Sequence, residues 1–173
     1  MHNKKSTKYT AVGLVLFLVM LSGCQQSTKD TKEVEIQLYF GDKQTMINSD
    51  CSATMMVIRP IPHTEDIIDA TLRELLIGAT EKDISMGLTD NFSNHSGYLG
   101  NDVEPLLSYY KSISVQDGIA TIDFTTDALQ YLNNAACIQA SVKSPIQKTL
   151  QQFPSITEIH YSIDGEEFTE WDA

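Results

Sequence analysis

The sequence predicts an α+β fold, a single small domain in which a mixed or mostly antiparallel sheet is packed by two main helices. Three observations predict it. Short runs such as 34–40 (VEIQLYF) and 159–163 (IHYSI) alternate apolar and polar residues, the period of a half-buried strand. Two longer stretches, 64–78 and 141–153, repeat apolar residues at the spacing of an amphipathic helix. Asp117-Gly118 joins two alternating runs through a tight turn, so those two runs pair antiparallel.

The chain begins with a different kind of segment. Met1–Thr10 carries Lys4, Lys5 and Lys8 and no acid, and Ala11–Leu21 (AVGLVLFLVML) follows without a polar side chain. A basic stretch before about 11 apolar residues is the pattern of a secretory signal. It is too short for the roughly 20 residues a spanning helix needs. Leu21-Ser22-Gly23-Cys24 then resembles the bacterial lipobox, in which the cysteine thiol receives a diacylglyceryl group and cleavage makes that cysteine the N-terminus. Residues 1–23 are thus expected to be a lipoprotein signal peptide, with Cys24 the lipidation site. Two or three acyl chains, at about 0.8 kcal/mol per buried methylene, make a stable anchor where one would not. The expected location is the extracytoplasmic face of a cell membrane.

Removing a leader that carries three lysines and no acid takes the formal net charge from −11 to −14. Nucleic acid is excluded as a partner, because its binding rests on neutralising phosphates with Lys and Arg. Anionic lipid heads offer no attraction either, so the lipid must hold the protein at the membrane. The acidity itself reads as a well-solvated secreted surface.

Each element has a local reason. Residues 24–33 are polar, with no aromatic or β-branched apolar side chain to bury, and read as a flexible tether to a domain at 34–173. Val34, Ile36, Leu38 and Phe40 share one face of the first strand. A second strand fits 53–61, rich in Met, Val and Ile and closed by Pro60 and Pro62. In HTEDIIDATLRELLIGA, Thr64 is a plausible N-cap, Glu65 and Asp66 complement the helix dipole, and Gly78 can supply the left-handed C-terminal turn. Residues 87–108 match no strong template and read as a long surface loop. In KSISVQDGIATIDF, pairing Gln116 with Ile119 sets Val115 against Ala120 and Ile113 against Ile122. Residues 126–132 suggest a short helix, and 140–153 a longer one stopped by Pro154.

Chemistry-bearing residues are few. With Cys24 lipidated, Cys51 and Cys137 remain, and an even pair in an exported chain is either a disulfide or two free buried thiols. His63, His95 and His160 are scattered, without HExxH or CxxC, so neither a metal nor another cofactor is expected. His95 stands beside Asn94 and Ser96, yet no GxSxG elbow or SxxK pair accompanies it. Glu65-Asp66 and Glu166-Glu167 are the carboxylate pairs a cell-wall hydrolase would need about 5–9 Å apart. The first is explained by a helix start and the second follows a turn. Asp90, Asn91, Asn94 and Asp102 do not follow the twelve-residue calcium-loop pattern. The expectation is a domain without catalytic residues.

A family resemblance runs through most of the domain in order. It is carried by Arg59, Leu75-Leu76-x-Gly78, Gly87-Leu88, Val115 with Gly118 and Ala120, Ile122-Asp123-Phe124, Thr149-Leu150-x-x-Phe153-Pro154 and Ile163-Asp164-Gly165. Together these resemble the GerMN family, the sporulation and spore-germination domain. Ala79, where the family has proline, and the polar loop 91–104 depart from it. The resemblance implies a small α+β domain like the ring-building motifs of secretion machines, and an envelope role without known catalysis. It implies an adaptor for an envelope protein complex or the cell wall, sometimes in sporulation or germination. Members with cysteines placed like Cys51 and Cys137, and a terminal Phe-x-x-Trp like Phe168–Trp171, add weight to the disulfide.

Overall fold

Two small sheets, not one, organise the domain. The computed structural model describes residues 32–48, 50–94, 99, 100 and 102–169. These lie within one compact unit, Lys32–Ala173. Cys24, most of the tether, His95, Ser96 and Trp171 fall outside the described residues.

The first sheet has the order β2-β1-β3. Strand β1 (Glu33–Asp42) keeps the predicted alternation, with Ile36, Leu38 and Phe40 buried and Glu35 and Gln37 exposed. After a single helical turn, α1 (Lys43–Met46), strand β2 (Thr54–Pro62) pairs with β1 antiparallel, Val57 against Leu38 and Arg59 against Ile36. The strand runs through Pro60 and ends at Pro62, so only the second proline closes it. Helix α2 (Ile67–Leu76) buries Leu72, Leu75 and Leu76. Its cap is Asp66, whose carboxylate accepts from the Asp69 N–H, while Thr64 sits two residues further back and accepts from the Asp66 N–H. Gly78, at φ 100°, supplies the expected left-handed exit. Helix α3 (Glu81–Ser85) starts in a capping box of Thr80 and Asp83 and leads into the two-residue strand β3 (Leu88–Thr89).

The second sheet has the order β4-β5-β6-β7. Strands β4 (Tyr110–Gln116) and β5 (Ile119–Phe124) form the hairpin in the register read from the sequence, Gln116 against Ile119 and Ile113 against Ile122. Asp117 and Gly118 both have positive φ, at 52° and 87°, as a type I′ turn requires. A 3-10 turn at Thr126–Ala128 runs into α4 (Leu129–Leu132). Helix α5 (Ala136–Leu150) then carries the chain back, so that β6 (Glu158–Ile163) lies parallel to β5, with β7 (Glu166–Glu167) on its edge.

Helix α5 begins four residues before the predicted start and contains Pro145. A proline there removes the N–H that would bond the carbonyl of Ser141. That carbonyl accepts from the Asn91 side chain instead, at 3.2 Å in a buried position. The segment 87–108 is therefore not a plain surface loop: it buries Phe92 and Leu106 as well as Asn91, and Asn94 accepts from Leu99 N–H and donates to the carbonyls of Gly100 and Val103. One core unites the helices with both sheets. Burying Leu38 or Phe40 completely is worth about 2–3 kcal/mol each.

Candidate interaction surface

Which way β2 faces follows from β1. On the side of β1 away from β2, the Gln37 N–H donates to Gln152 Oε1 at 3.0 Å, and Gln152 Nε2 donates back to the Gln37 carbonyl at 2.8 Å. The Tyr39 N–H donates to Thr149 Oγ1 at 3.0 Å. Side chains at the end of α5 thus occupy that edge as another strand would. Because Gln37 and Tyr39 turn their backbone groups toward α5, their partners in β2, Ile58 and Met56, turn theirs outward. Thr54, Pro60 and Pro62 share this parity. The missing N–H groups of both prolines therefore lie on the outer side and cost nothing in pairing with β1, which is why the strand survives them.

Among the described residues no strand covers the outer side of β2. What it presents is apolar: Met56 is 45% and Ile58 57% exposed, and Met55 at the strand's start is 39% exposed. Met55 also lines a shallow groove of about 310 Å³ with Ile47 and Met86, beside Lys43 and Gly87. Asp42 and Gln44 complete the groove's lining, and edge and groove are two apolar features on an acidic protein.

Two ties hold this strand. On its inner face the Arg59 guanidinium donates to Glu74 at 2.9 Å and to Asp83 at 2.7 Å, with its carbon 5.7 Å from the centre of the Phe40 ring. One side chain so joins β2 to α2, α3 and the core. Burial pushes the Asp83 carboxyl up, but hydrogen bonds from Thr80 and the charge of Arg59 outweigh it and hold the group below its ordinary value of 3.8. Arg59 is the residue that the family resemblance flagged without a role. At the strand's entrance, Cys51 and Cys137, at the start of α5, form a disulfide with Cα atoms 5.2 Å apart.

The remaining candidates do not converge. His63 follows β2, exposed, its N–H donating to the Lys32 carbonyl. His160 is half-buried rather than fully solvated, with Nε2 2.7 Å from Glu158. Asp66 caps α2 beside exposed Glu65, whereas Glu166 and Glu167 form the exposed strand β7 on the other sheet. Asp90 accepts from the N–H groups of Phe92 and Ser93 and from the Ser93 hydroxyl. Among the described residues no three His, Cys, Asp or Glu side chains gather as metal ligands would, and no helix is long and apolar enough to cross a membrane. Sequence reasoning missed Met55, Met56 and Ile58 as surface; the prolines on the same strand were the available signal of an edge.

These elements make a small two-sheet α+β domain with an apolar edge at β2. More particularly, the chain belongs to the sporulation and spore germination family, whose model matches residues 37–169. Its fold is similar to that of the first GerMN domain of the sporulation protein GerM from Bacillus subtilis, with a TM-score of 0.54 and 19% identity over 81% of this chain and 90% of that one. The tandem GerMN domains of the same protein align with a TM-score of 0.52 and 19% identity over 82% of this chain. This chain spans 43% of that tandem structure, less than half its length. No curated protein matches the sequence significantly.

Proposed function

We propose that this chain is a lipid-anchored protein of the cell envelope whose GerMN domain works as a non-catalytic adaptor, docking an envelope protein complex or the cell wall. The observation that carries the reading is the groove of Ile47, Met55 and Met86, three exposed apolar side chains gathered beside the start of β2. Isolated exposed apolar residues are ordinary, but a contiguous group beside an open sheet edge suits a partner. Family membership and the arrangement of the leader before Cys24 support the setting. Asp66 is engaged as a helix cap beside exposed Glu65, and Glu166 and Glu167 are exposed on the other sheet, so nothing in their placement favours a hydrolase.

The test places a photoreactive amino acid at Met86, on the groove, in the full chain in its native membrane. A reproducible crosslink to one envelope protein or to peptidoglycan is expected, and Cys24→Ala should lose both radiolabelled palmitate and membrane retention. Palmitate on the Cys24→Ala variant would refute the anchor. Release of muropeptides by the protein, abolished by replacing a single carboxylate, would refute the non-catalytic reading.

A further inference from the structure

We infer that the free edge of β2 pairs antiparallel with β2 of a second copy, about a two-fold axis at Val57. This goes beyond the adaptor reading and uses a different part of the surface, the strand edge instead of the groove.

The backbone supplies the first argument. Met56 and Ile58 turn both N–H and C=O outward, as shown by the pairing of Gln37 and Tyr39 with α5. With the axis at Val57, Met56 of one copy lies opposite Ile58 of the other, and each such pair exchanges both hydrogen bonds. Thr54 falls opposite Pro60. The proline has no N–H to give, but its carbonyl accepts from Thr54, so the strand is self-complementary despite its prolines.

Side chains supply the second. On the solvent face Met56 meets Ile58 of the other copy, twice by symmetry, alongside Tyr39, and two exposed large apolar side chains of each strand come together. On the inner face Val57 meets its own counterpart. Charge supplies the third argument, because it removes the obstacle that two acidic copies would otherwise meet. The whole chain carries −11, but Thr54–Pro62 contains no acid, and its one base, Arg59, is already neutralised by Glu74 and Asp83. Two strongly acidic molecules can approach along this strand without opposing like charges. Anchored copies confined to one membrane would also meet at a raised effective concentration.

The decisive experiment puts a photoreactive amino acid at Ile58 in the full chain in its native membrane, with Ser114 on the other sheet's outer strand as the control position. A crosslinked dimer of this chain is expected from Ile58 and not from Ser114. Sedimentation of the detergent-solubilised protein should show the dimer, weakened at least tenfold by Ile58→Lys and by Met56→Lys at unchanged thermal midpoint. A crosslink from Ile58 only to a different protein would overturn self-pairing while leaving the adaptor reading intact. No dimer by either method would overturn it as well, whatever the groove position Met86 captures.

Discussion

The two sheets each end in an outer strand, β2 in one and β4 in the other, and they treat that exposure in opposite ways. Strand β4 turns Lys111, Ser112, Ser114 and Gln116 to solvent along with a single apolar side chain, Val115, next to the turn, and its register slips between Tyr110 and Ser112, a bulge that twists the edge. Lys111 is tied to Asp123 at 3.0 Å and to Asp164 at 3.3 Å. Charge, polarity and a bulge are the usual ways of blunting an edge. Strand β2 uses prolines alone, and between its entrance and Pro60 stand Met55, Met56 and Ile58, exposed, with no lysine in the strand. One edge is closed to partners and the other is half open. The difference supports the proposal that docking uses β2, the strand that Arg59 and the disulfide tie down from within.

The largest expected effect concerns that hold. The bridge between Cys51 and Cys137 closes a separation of 86 residues, for which the chain-entropy account gives about 4 kcal/mol of stabilisation. We expect no free thiol in the denatured, unreduced mature protein, and a drop of that order in urea-unfolding free energy for Cys51→Ala/Cys137→Ala. Two free sulfhydryls would remove this tie from the account. Next comes Arg59→Met, which leaves Asp83 buried without its cation and should cost about 3 kcal/mol in the same assay. Lys111→Ala on β4, where the lysine is solvent-exposed, should shift the midpoint far less. Equal losses from the two substitutions would erase the contrast between the strands.

A smaller effect separates the strands by pH. Asp83 behind β2 and Asp123 behind β4 are both held below 3.8: burial opposes this in each, and hydrogen bonds with a neighbouring cation prevail. A carboxyl depressed on folding contributes stability that is present above its unfolded value and is lost as pH falls through its lower folded value. Stability from both groups should therefore hold above about pH 5 and decline below about pH 4. Without Arg59 the depression at Asp83 shrinks, so Arg59→Met should lose less stability than the native protein between pH 5 and pH 3, as measured by urea unfolding. A steeper acid loss in the variant would contradict the assignment.

Much of this fold was legible where two independent signals agreed. The hairpin register followed because turn chemistry at Asp117-Gly118 and apolar pairing across the strands demanded the same alignment. Helix α2 followed from spacing, though its cap shifted by two residues because Thr64 and Asp66 both offer oxygens. The passage of α5 across Pro145 was legible from apolar spacing, but its first turn, 136–139, was not, and nothing local showed that Asn91, 50 positions from Ser141, bonds the carbonyl the proline frees. Phe92 sits in irregular backbone and Leu106 opens a four-residue 3-10 turn, too short to show a period. The parallel pairing of β5 with β6 is decided by where α5 packs. The interaction surface was legible only in part: Pro60 and Pro62 marked an edge, but which side of β2 stayed open depended on Gln152 and Thr149 closing the far side of β1.

The measurement that bears most directly on the claim that β2 is the open edge is amide hydrogen exchange, resolved by residue, on the full chain in membranes and after dilution into detergent. The account predicts that Met56 and Ile58 exchange fast in the diluted protein, while Met55, Val57 and Arg59, bonded to β1, exchange slowly. In the membrane Met56 and Ile58 should become protected, with the β4 amides unchanged. Equal exchange of Met56 and Ile58 in both states, or protection appearing on β4 instead, would contradict it.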